Sequence, residues 1–321
     1  MSMPSKERCA DGPRAAASMQ RDPADYERIQ VGRLAGLAHP RGSLAGLTLA
    51  GKWLMWLFAF DDHFSDESAI GFDPAETITV VTRMLGILDG VPHRRPEGPF
   101  EVTLADFMGE LAACATPVQR GRFLASVGSY FHAFIWEAAN RARSTYPTVE
   151  TYRHMRYHGG AVPSCLTLID TVNEFELPAD DYYRPETVTL VRLASNLICW
   201  SNDIFSYAKE VVRNGIVHSL PTILQHHLDI DIQKAIDRAA QMHDDEVGRY
   251  EQLERRMRDM AGPHLRRFLD DINSWIVGNM TWTRTCQRYC SHVALRPVES
   301  LLLAGGPGKI GGGLHGTEVA P

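Results

Sequence analysis

The chain has 321 residues, of which 44% are hydrophobic and 22% are charged, and its formal net charge is −6. This composition is typical of a globular protein with a sizeable core, and its negative balance gives no electrostatic reason to expect nucleic acid or an anionic membrane as a partner. The six cysteines form no CxxC pair and no apolar signal segment is present, so we expect a cytoplasmic protein without a disulfide framework.

The organisation along the chain predicts one domain between two tails. The polar stretch 1–21 is expected to be a flexible tail, and the glycine-rich segments in 303–321 predict another. Between them, residues 22–302 show no internal repeat, apolar residues recur at helical spacing, and no run alternates convincingly with a period of two. We therefore expect an all-α domain with about ten or more helices.

The first strongly apolar segment, residues 47–60, could be mistaken for a membrane span. It is too short to cross a bilayer, it contains Lys52, and two aspartates follow it directly. A buried helix is the better prediction.

Acidic residues follow this helix: Asp61, Asp62, Asp66 and Glu67. Carboxylates are disfavoured at a helix C-terminus because the free carbonyl groups there are already negative. The cluster is therefore either a solvated helix end or a site for a hard divalent cation, Mg²⁺ foremost, which prefers oxygen ligands.

Two stripes of apolar residues predict amphipathic helices further along the chain. One runs through Phe123, Val127, Tyr130, Phe131 and Phe134. The other covers residues 265–276, in a helix expected to begin at Gly262-Pro263.

A second polar cluster follows the apolar residues 191–200. Asn202, Ser206 and Glu210 are spaced by four residues, so on a helix they form a ridge about 12 Å long. An amide, a hydroxyl and a carboxylate are suitable ligands for Mg²⁺ when a substrate phosphate completes the coordination, and Lys209 adds a cation beside them. The alternative is a solvated helix face.

One further acidic stretch has the composition of a metal site. Residues 243–246 read His-Asp-Asp-Glu, but the surrounding sequence is rich in charge as far as residue 256. We expect a solvated helix there rather than a site.

The two polar clusters together resemble the metal motifs of bacterial class I terpene synthases. Residues 61–66 (DDHFSD) resemble the aspartate-rich motif, and residues 202–210 (NDIFSYAKE) match the second motif, ND-xx-S-xx-KE, at every specified position. The commonest first motif has its third acid at the position of Ser65. The resemblance therefore leaves open whether Asp66 or Glu67 takes that role.

Other positions extend the resemblance over residues 45–289. Arg156 lies 46 residues before Asn202, as does the family's diphosphate-sensing arginine, and Gly160 stands where its ionisation-triggering glycine does. Arg288-Tyr289 is similar to the pair that closes over the diphosphate. Gly159 departs from the pattern. The family often carries an acid or an amide at this position, whose side chain links the sensing arginine to the triggering glycine. Here we expect the link between Arg156 and Gly160 to run through the backbone or through water.

Aromatic residues are expected to line the cavity. The resemblance points to Phe58 and Trp282, and helical spacing adds Tyr130, Phe131 and Phe134. Aromatic faces stabilise a carbocation by cation–π attraction of about 0.5–2 kcal/mol each. For the residues other than Phe58 and Trp282, core packing is the favoured interpretation.

The resemblance implies a class I terpenoid synthase-like bundle around a central apolar cavity, in which three Mg²⁺ ions assist ionisation of a prenyl diphosphate. The implied metal ligands are Asp61, Asp66, Asn202, Ser206 and Glu210. Positive charge for the diphosphate comes from Arg156, Lys209 and Arg288. Asp62 is expected to pair with Arg156 or to support a ligand rather than to bind metal itself.

The expected activity is cyclisation of a linear prenyl diphosphate, with farnesyl diphosphate the preferred substrate and geranylgeranyl diphosphate an alternative. Two other hypotheses stay open, a chain-elongating prenyltransferase and a non-catalytic helical binding protein. The small-molecule diphosphate is the expected partner, without nucleic acid or membrane, and the chain is expected to be a monomer or a homodimer.

Overall fold

The computed structural model describes residues 27, 29–66, 69–91, 95–214 and 218–290, without the side chains of 65–66, 208–214 and 290. This part of the chain is helical and contains no strand, which confirms the all-α fold class. The predicted tails, 1–21 and 303–321, and the predicted domain ends lie outside the described residues.

The α-helices of the described ranges are numbered here in chain order, and they confirm the expectation of ten or more. They are α1 Val31–Ala38, α2 Leu44–Phe60, α3 Pro74–Leu88, α4 Pro99–Cys114, α5 Pro117–Arg143, α6 Val149–Gly159, α7 Val162–Leu166, α8 Ile169–Val172, α9 Ala179–Tyr182, α10 Pro185–Asn214, α11 Leu220–Leu228, α12 Ile232–Met260, α13 Pro263–Thr285 and α14 Gln287–Cys290. A π-helix, Asp61–Asp66, and a 3₁₀ helix, Ala69–Phe72, connect α2 to α3.

Local sequence explains where the long helices begin. The Thr116 hydroxyl accepts a hydrogen bond from the Gln119 backbone N–H at 3.2 Å, and the Gln119 side chain accepts one from the Thr116 N–H at 2.9 Å. This reciprocal cap satisfies two N–H groups that would otherwise lack partners at the start of α5. Helix α13 begins at Pro263 after Gly262, as predicted.

The apolar face of helix α2 is buried, which confirms the interpretation of residues 47–60. Trp53 is 0% exposed, its indole donates to the Ser164 hydroxyl at 2.9 Å, and its ring stacks on Trp56 at 5.3 Å. Within the described ranges, no helix is both long enough and apolar enough to span a membrane.

Helix α13 packs closely against the N-terminal segment. A Cβ atom on Gly278 would lie 2.7 Å from the Leu37 carbonyl oxygen, so only glycine permits this approach of α1 and α13. One turn further on, the Trp282 indole donates to the Ile29 carbonyl at 2.7 Å. These contacts fix the face of α13 that carries Trp282.

The prediction of a solvated helix over residues 243–256 is wrong for one face of α12. Glu246 is 2% exposed, and its carboxylate accepts hydrogen bonds from Asn196 at 2.6 Å and from Arg249 at 3.1 Å. Asn196 belongs to α10, which packs along α12. A partner 50 residues away gives no local signal in the sequence.

Candidate functional site

A central cavity of about 180 Å³ lies between α2, α5, α6, α10 and α13. Its lining includes the apolar side chains of Leu54, Leu57 and Ile198. Asp61 from the first polar cluster and Asn202 from the second face the same cavity. The structure therefore brings together two clusters that are far apart in the sequence.

The first cluster continues α2 as a π-helix, Asp61–Asp66. Such wide turns occur often at functional sites because they redirect side chains that an α-helix would space regularly. Asp61 lines the cavity, whereas Asp62 is 1% exposed. The side chain of Asp66 and all of Glu67 lie outside the described residues, so the choice of third acid stays open.

Asp62 pairs with Arg288 and not with Arg156, so that alternative of the sequence analysis is wrong. The Arg288 guanidinium donates to both oxygens of Asp62, at 2.7 Å each, across 226 residues of sequence. Burial acts to lower the pKa of Arg288, and the Asp62 carboxylate acts against it, with the net result that this pKa is raised well above its ordinary value.

The second cluster lies on α10. The Asn202 amide donates to the Tyr289 hydroxyl at 2.9 Å, and its oxygen accepts from Arg156 Nη2 at 3.1 Å. The Ser206 hydroxyl lines the cavity and is buried without a hydrogen-bond partner among the described residues. Lys209 and Glu210 belong to the same helix, and their side chains lie outside the description.

Arg156 reaches the cavity from α6 and is held by Asp203. Its Nε donates to Asp203 Oδ1 at 2.8 Å, and Nη2 lies 2.7 Å from the same oxygen. Burial acts to lower the pKa of this guanidinium, but the Asp203 carboxylate acts in the opposite direction, and the net pKa is raised well above its ordinary value. Arg156 is therefore a fixed cation.

Gly160 follows the end of α6 directly, at the expected helix break. Its N–H donates to the Arg156 carbonyl at 2.9 Å, and the next residue, Ala161, has a left-handed backbone with φ of 56°. A Cβ atom on Gly160 would overlap Cys199 Sγ, and one on Gly159 would lie 2.6 Å from the Glu137 carboxylate. Packing therefore favours glycine at position 160, whereas at position 159 the end of the Glu137 side chain would have to move.

Arg288 and Tyr289 belong to α14 and both line the cavity. Tyr289 is 2% exposed, and burial raises the pKa of its hydroxyl to about 12. Its ring meets Trp282 edge to face at 5.7 Å between centroids. The predicted C-terminal pair thus contacts both polar clusters, through Asp62 and Asn202.

Three of the five aromatic candidates line the cavity: Phe58, Tyr130 and Trp282. Phe58 lies 5.4 Å from Trp282 between ring centroids, and the Arg288 guanidinium lies 5.1 Å from the Phe58 ring. Phe131 and Phe134 are 0% and 2% exposed and are absent from the lining, so for them core packing is the correct interpretation.

Five polar residues of the lining were not predicted as site residues from the sequence: Glu137, Arg141, Asp203, His218 and Asn279. Arg141 donates to the Glu137 carboxylate at 3.1 Å, and burial lowers the pKa of His218. Glu137 and Arg141 follow Tyr130 by seven and eleven residues, hence on its side of α5. This spacing is the one signal in the sequence that could have identified Glu137 and Arg141. By itself, however, a glutamate four residues before an arginine is typical of an ion pair on a helix surface.

The donor set suits a hard cation and a phosphate. Among the described side chains, no group of three or more His, Cys, Asp and Glu residues is arranged to hold a metal ion. The predicted metal ligands that line the cavity are instead a carboxylate, an amide and a hydroxyl, from Asp61, Asn202 and Ser206. The buried Ser206 oxygen, which accepts and donates no hydrogen bond in the part of the chain that the structure describes, fits a Mg²⁺ ligand. Arg156 and Arg288 present planar guanidinium groups, which suit phosphate oxygens.

Comparison with known proteins identifies similar chains. Residues 52–249 match the family described as terpene synthase family 2, C-terminal metal binding. The (+)-T-muurolol synthase ((2E,6E)-farnesyl diphosphate cyclizing) of Roseiflexus castenholzii is 35% identical over 265 residues, which cover 82% of this chain and 81% of that protein. The (+)-(1(10)E,4E,6S,7R)-germacradien-6-ol synthase of Streptomyces pratensis is 32% identical over 264 residues, covering 82% and 74%.

Solved structures show the same architecture. 2-Methylisoborneol synthase from Streptomyces coelicolor A3(2), in complex with Mg²⁺ and 2-fluoroneryl diphosphate, superposes with a TM-score of 0.77 at 25% identity and covers 83% of this chain and 85% of that one. Wild-type cucumene synthase gives a TM-score of 0.70 at 28% identity and covers 80% and 86%.

Proposed function

This chain belongs to terpene synthase family 2 and is a terpene cyclase, and from that premise we propose that it converts farnesyl diphosphate into a cyclic terpene with the help of Mg²⁺. The observation that carries the proposal is the shared cavity. Asp61, Asn202 and Ser206 line it together with two fixed cations, Arg156 and Arg288.

The diphosphate is proposed to bind at these cations. The side chains of Arg156 and Arg288 are 17% and 7% exposed and charged, and each guanidinium is oriented by a carboxylate, Asp203 for Arg156 and Asp62 for Arg288. Fixed donors that are already desolvated stabilise charge developing on a leaving group without reorganisation. Lys209 is proposed as a further contact on the basis of its motif position.

Mg²⁺ is proposed to bind to Asp61, Asn202 and Ser206. Asp66 and Glu210 are proposed as further ligands because of their positions in the two motifs. Bound Mg²⁺ would supply Lewis-acid stabilisation of the phosphate oxygens. Within the described ranges the buried Ser206 hydroxyl has no hydrogen-bond partner, and an unsatisfied buried hydroxyl costs about 1–3 kcal/mol. A residue kept at that cost supports a binding role.

The carbocation formed by ionisation must be kept from water. The apolar residues of the lining exclude solvent, and the faces of Phe58, Tyr130 and Trp282 supply cation–π attraction. Gly160 is proposed to act through its backbone. The position of this backbone is fixed by packing against Cys199 and by the hydrogen bond from the Gly160 N–H to the Arg156 carbonyl.

Farnesyl diphosphate is proposed as the substrate because the name of the muurolol-forming relative specifies it. Geranylgeranyl diphosphate is the alternative within the same reaction class. Chain elongation is disfavoured by residues 202–206, which read Asn-Asp-Ile-Phe-Ser where elongating prenyltransferases carry a second aspartate-rich motif. Location in the cytoplasm and a monomeric or homodimeric state stay predictions from the sequence.

Incubation of the purified chain with ten-, fifteen- and twenty-carbon prenyl diphosphates, with and without Mg²⁺, tests the proposal. Gas chromatography with mass spectrometry should detect a cyclic fifteen-carbon product only in the presence of Mg²⁺. Turnover of the twenty-carbon substrate alone would replace the proposed substrate. Incorporation of a labelled five-carbon co-substrate would favour chain elongation instead.

A further inference from the structure

Asp203 is a buried carboxylate that joins three parts of the fold, and its role in the reaction is unassigned. Oδ1 accepts from Arg156 Nε at 2.8 Å. Oδ2 accepts from the Tyr152 hydroxyl at 2.7 Å and from the Leu220 backbone N–H at 3.1 Å. One oxygen therefore holds the guanidinium, and the other holds α6 to the first turn of α11.

These contacts fix which nitrogens of Arg156 remain available. Nε and Nη2 are engaged by Asp203, and Nη2 also donates to Asn202 Oδ1 at 3.1 Å. Nη1 makes no hydrogen bond to the part of the chain that the structure describes, and a Cβ atom on Gly160 would lie 3.4 Å from it. The free donor of a cavity-lining arginine thus lies beside the helix break.

The same carboxylate balances the buried charge. Arg156 and Asp203 have side chains that are 17% and 3% exposed, so little solvent screens the pair. Burial raises the pKa of the Tyr152 hydroxyl well above its ordinary value, and the Asp203 charge raises it further, so Tyr152 stays a neutral donor. Asp203 is therefore the one anion facing Arg156 at hydrogen-bond distance among the described residues.

We propose that Asp203 is a positioning residue for Arg156, holding the guanidinium so that Nη1 is free for the substrate diphosphate. The same contact ties that orientation to the start of α11 through Leu220. This inference rests on the proposed function. It gives Asp203 a role different from that of the proposed metal ligands Asn202 and Ser206, since its two oxygens accept from Arg156, Tyr152 and Leu220.

A double-mutant cycle tests the proposal. The affinity of the full chain for inorganic diphosphate in the presence of Mg²⁺ is measured by calorimetry for wild type, Asp203→Asn, Arg156→Gln and the double variant. Each single variant should weaken binding about tenfold or more, the loss expected for a hydrogen bond to a charged group. The double variant should bind no more weakly than Arg156→Gln, because Asp203 acts through Arg156. Additive losses would overturn the proposal.

Two further variants distinguish a specific effect on diphosphate binding from a general loss of the fold. Tyr152→Phe removes one donor to Asp203 and keeps the ion pair, and it should weaken diphosphate binding severalfold. Wild-type affinity in this variant, together with additivity in the cycle, would leave Asp203 with a structural role only.

Asp170→Asn is the matched control. Asp170 is likewise buried and pairs with an arginine, Arg122, at 3.3 Å, and accepts from the Leu177 N–H at 3.1 Å, away from the central cavity. This control should lower the melting temperature without changing diphosphate affinity. A wild-type chain that binds no diphosphate would contradict the proposed function itself, whereas wild-type binding with additive losses would overturn the role of Asp203 alone.

Discussion

The Asn202 amide donates a hydrogen bond to the Tyr289 hydroxyl at 2.9 Å, which joins the polar ridge of α10 to the C-terminal helix. The Asn202 oxygen accepts from Arg156 at 3.1 Å, so one side chain contacts both Arg156 and Tyr289. Because the hydrogen bond to Tyr289 holds the amide nitrogen, it determines the direction in which the Asn202 oxygen points. A proposed metal ligand is thus oriented by a residue 87 positions later.

Replacing Tyr289 by Phe should raise the Mg²⁺ concentration needed for half-maximal activity about tenfold, because the Asn202 amide loses the contact that orients it. Steady-state kinetics over a Mg²⁺ titration measures the effect. Tyr250→Phe is the matched control, since Tyr250 is also buried and hydrogen-bonds an asparagine, Asn273, at 2.7 Å outside the cavity. An equal Mg²⁺ dependence in the two variants would refute the orienting role.

Replacing Asp62 by Asn should destabilise the fold and reduce turnover together. The substitution leaves the Arg288 cation buried without its carboxylate, at a cost of about 3–5 kcal/mol. Chemical denaturation and kcat/KM report the two effects. Breaking the exposed pair Lys52–Glu110 by Glu110→Gln should cost less than about 1 kcal/mol and leave kcat/KM unchanged. An Asp62→Asn variant with wild-type stability and wild-type kcat/KM would contradict the proposed importance of the Asp62–Arg288 ion pair.

A methyl group at position 160 should inactivate the enzyme. In Gly160→Ala the new Cβ would overlap Cys199 Sγ, so the backbone beside Arg156 must shift. Removing the sulfur in the double variant Gly160→Ala/Cys199→Ala should restore part of the activity. Gly128→Ala on α5 is the control, because its Cβ meets nothing within 4 Å and should be tolerated. Full activity in Gly160→Ala alone would disprove the packing argument.

Ser206→Ala should separate stability from function. It removes a buried hydroxyl that has no partner in the described part of the chain, so the melting temperature should stay level or rise, while the Mg²⁺ requirement increases. The control is Ser201→Ala on the same helix, whose hydroxyl donates to the Ile198 carbonyl at 3.0 Å. Loss of stability without a change in Mg²⁺ requirement would count against a ligand role for Ser206.

The sequence predicts those parts of the fold and site that depend on local spacing. Helical periodicity identifies α2 and α13, and the four-residue spacing of Asn202 and Ser206 places both on one face of α10. The aspartates after α2 are identifiable because carboxylates are unfavourable there without a cation. Each of these signals lies within a few turns of one helix.

Contacts between helices could not be predicted in the same way. Asp62 meets Arg288 rather than Arg156, and Glu246 is buried against Asn196, because helix packing decides which side chains face each other. Asp203 is an ordinary motif residue in the sequence, and only the fold brings Arg156 to it. Spacing along a helix restricts the face of a residue, and it carries no information about the partner across the interface.

Calorimetric titration of the wild-type chain with inorganic diphosphate tests whether the two polar clusters and the arginines form one Mg²⁺–diphosphate site. Binding should be tight with Mg²⁺ present and weak or undetectable when the metal is removed with a chelator, because the Asp61 carboxylate repels the diphosphate unless a cation lies between them. The same affinity with and without Mg²⁺, or no binding in either case, would show that these residues do not form such a site.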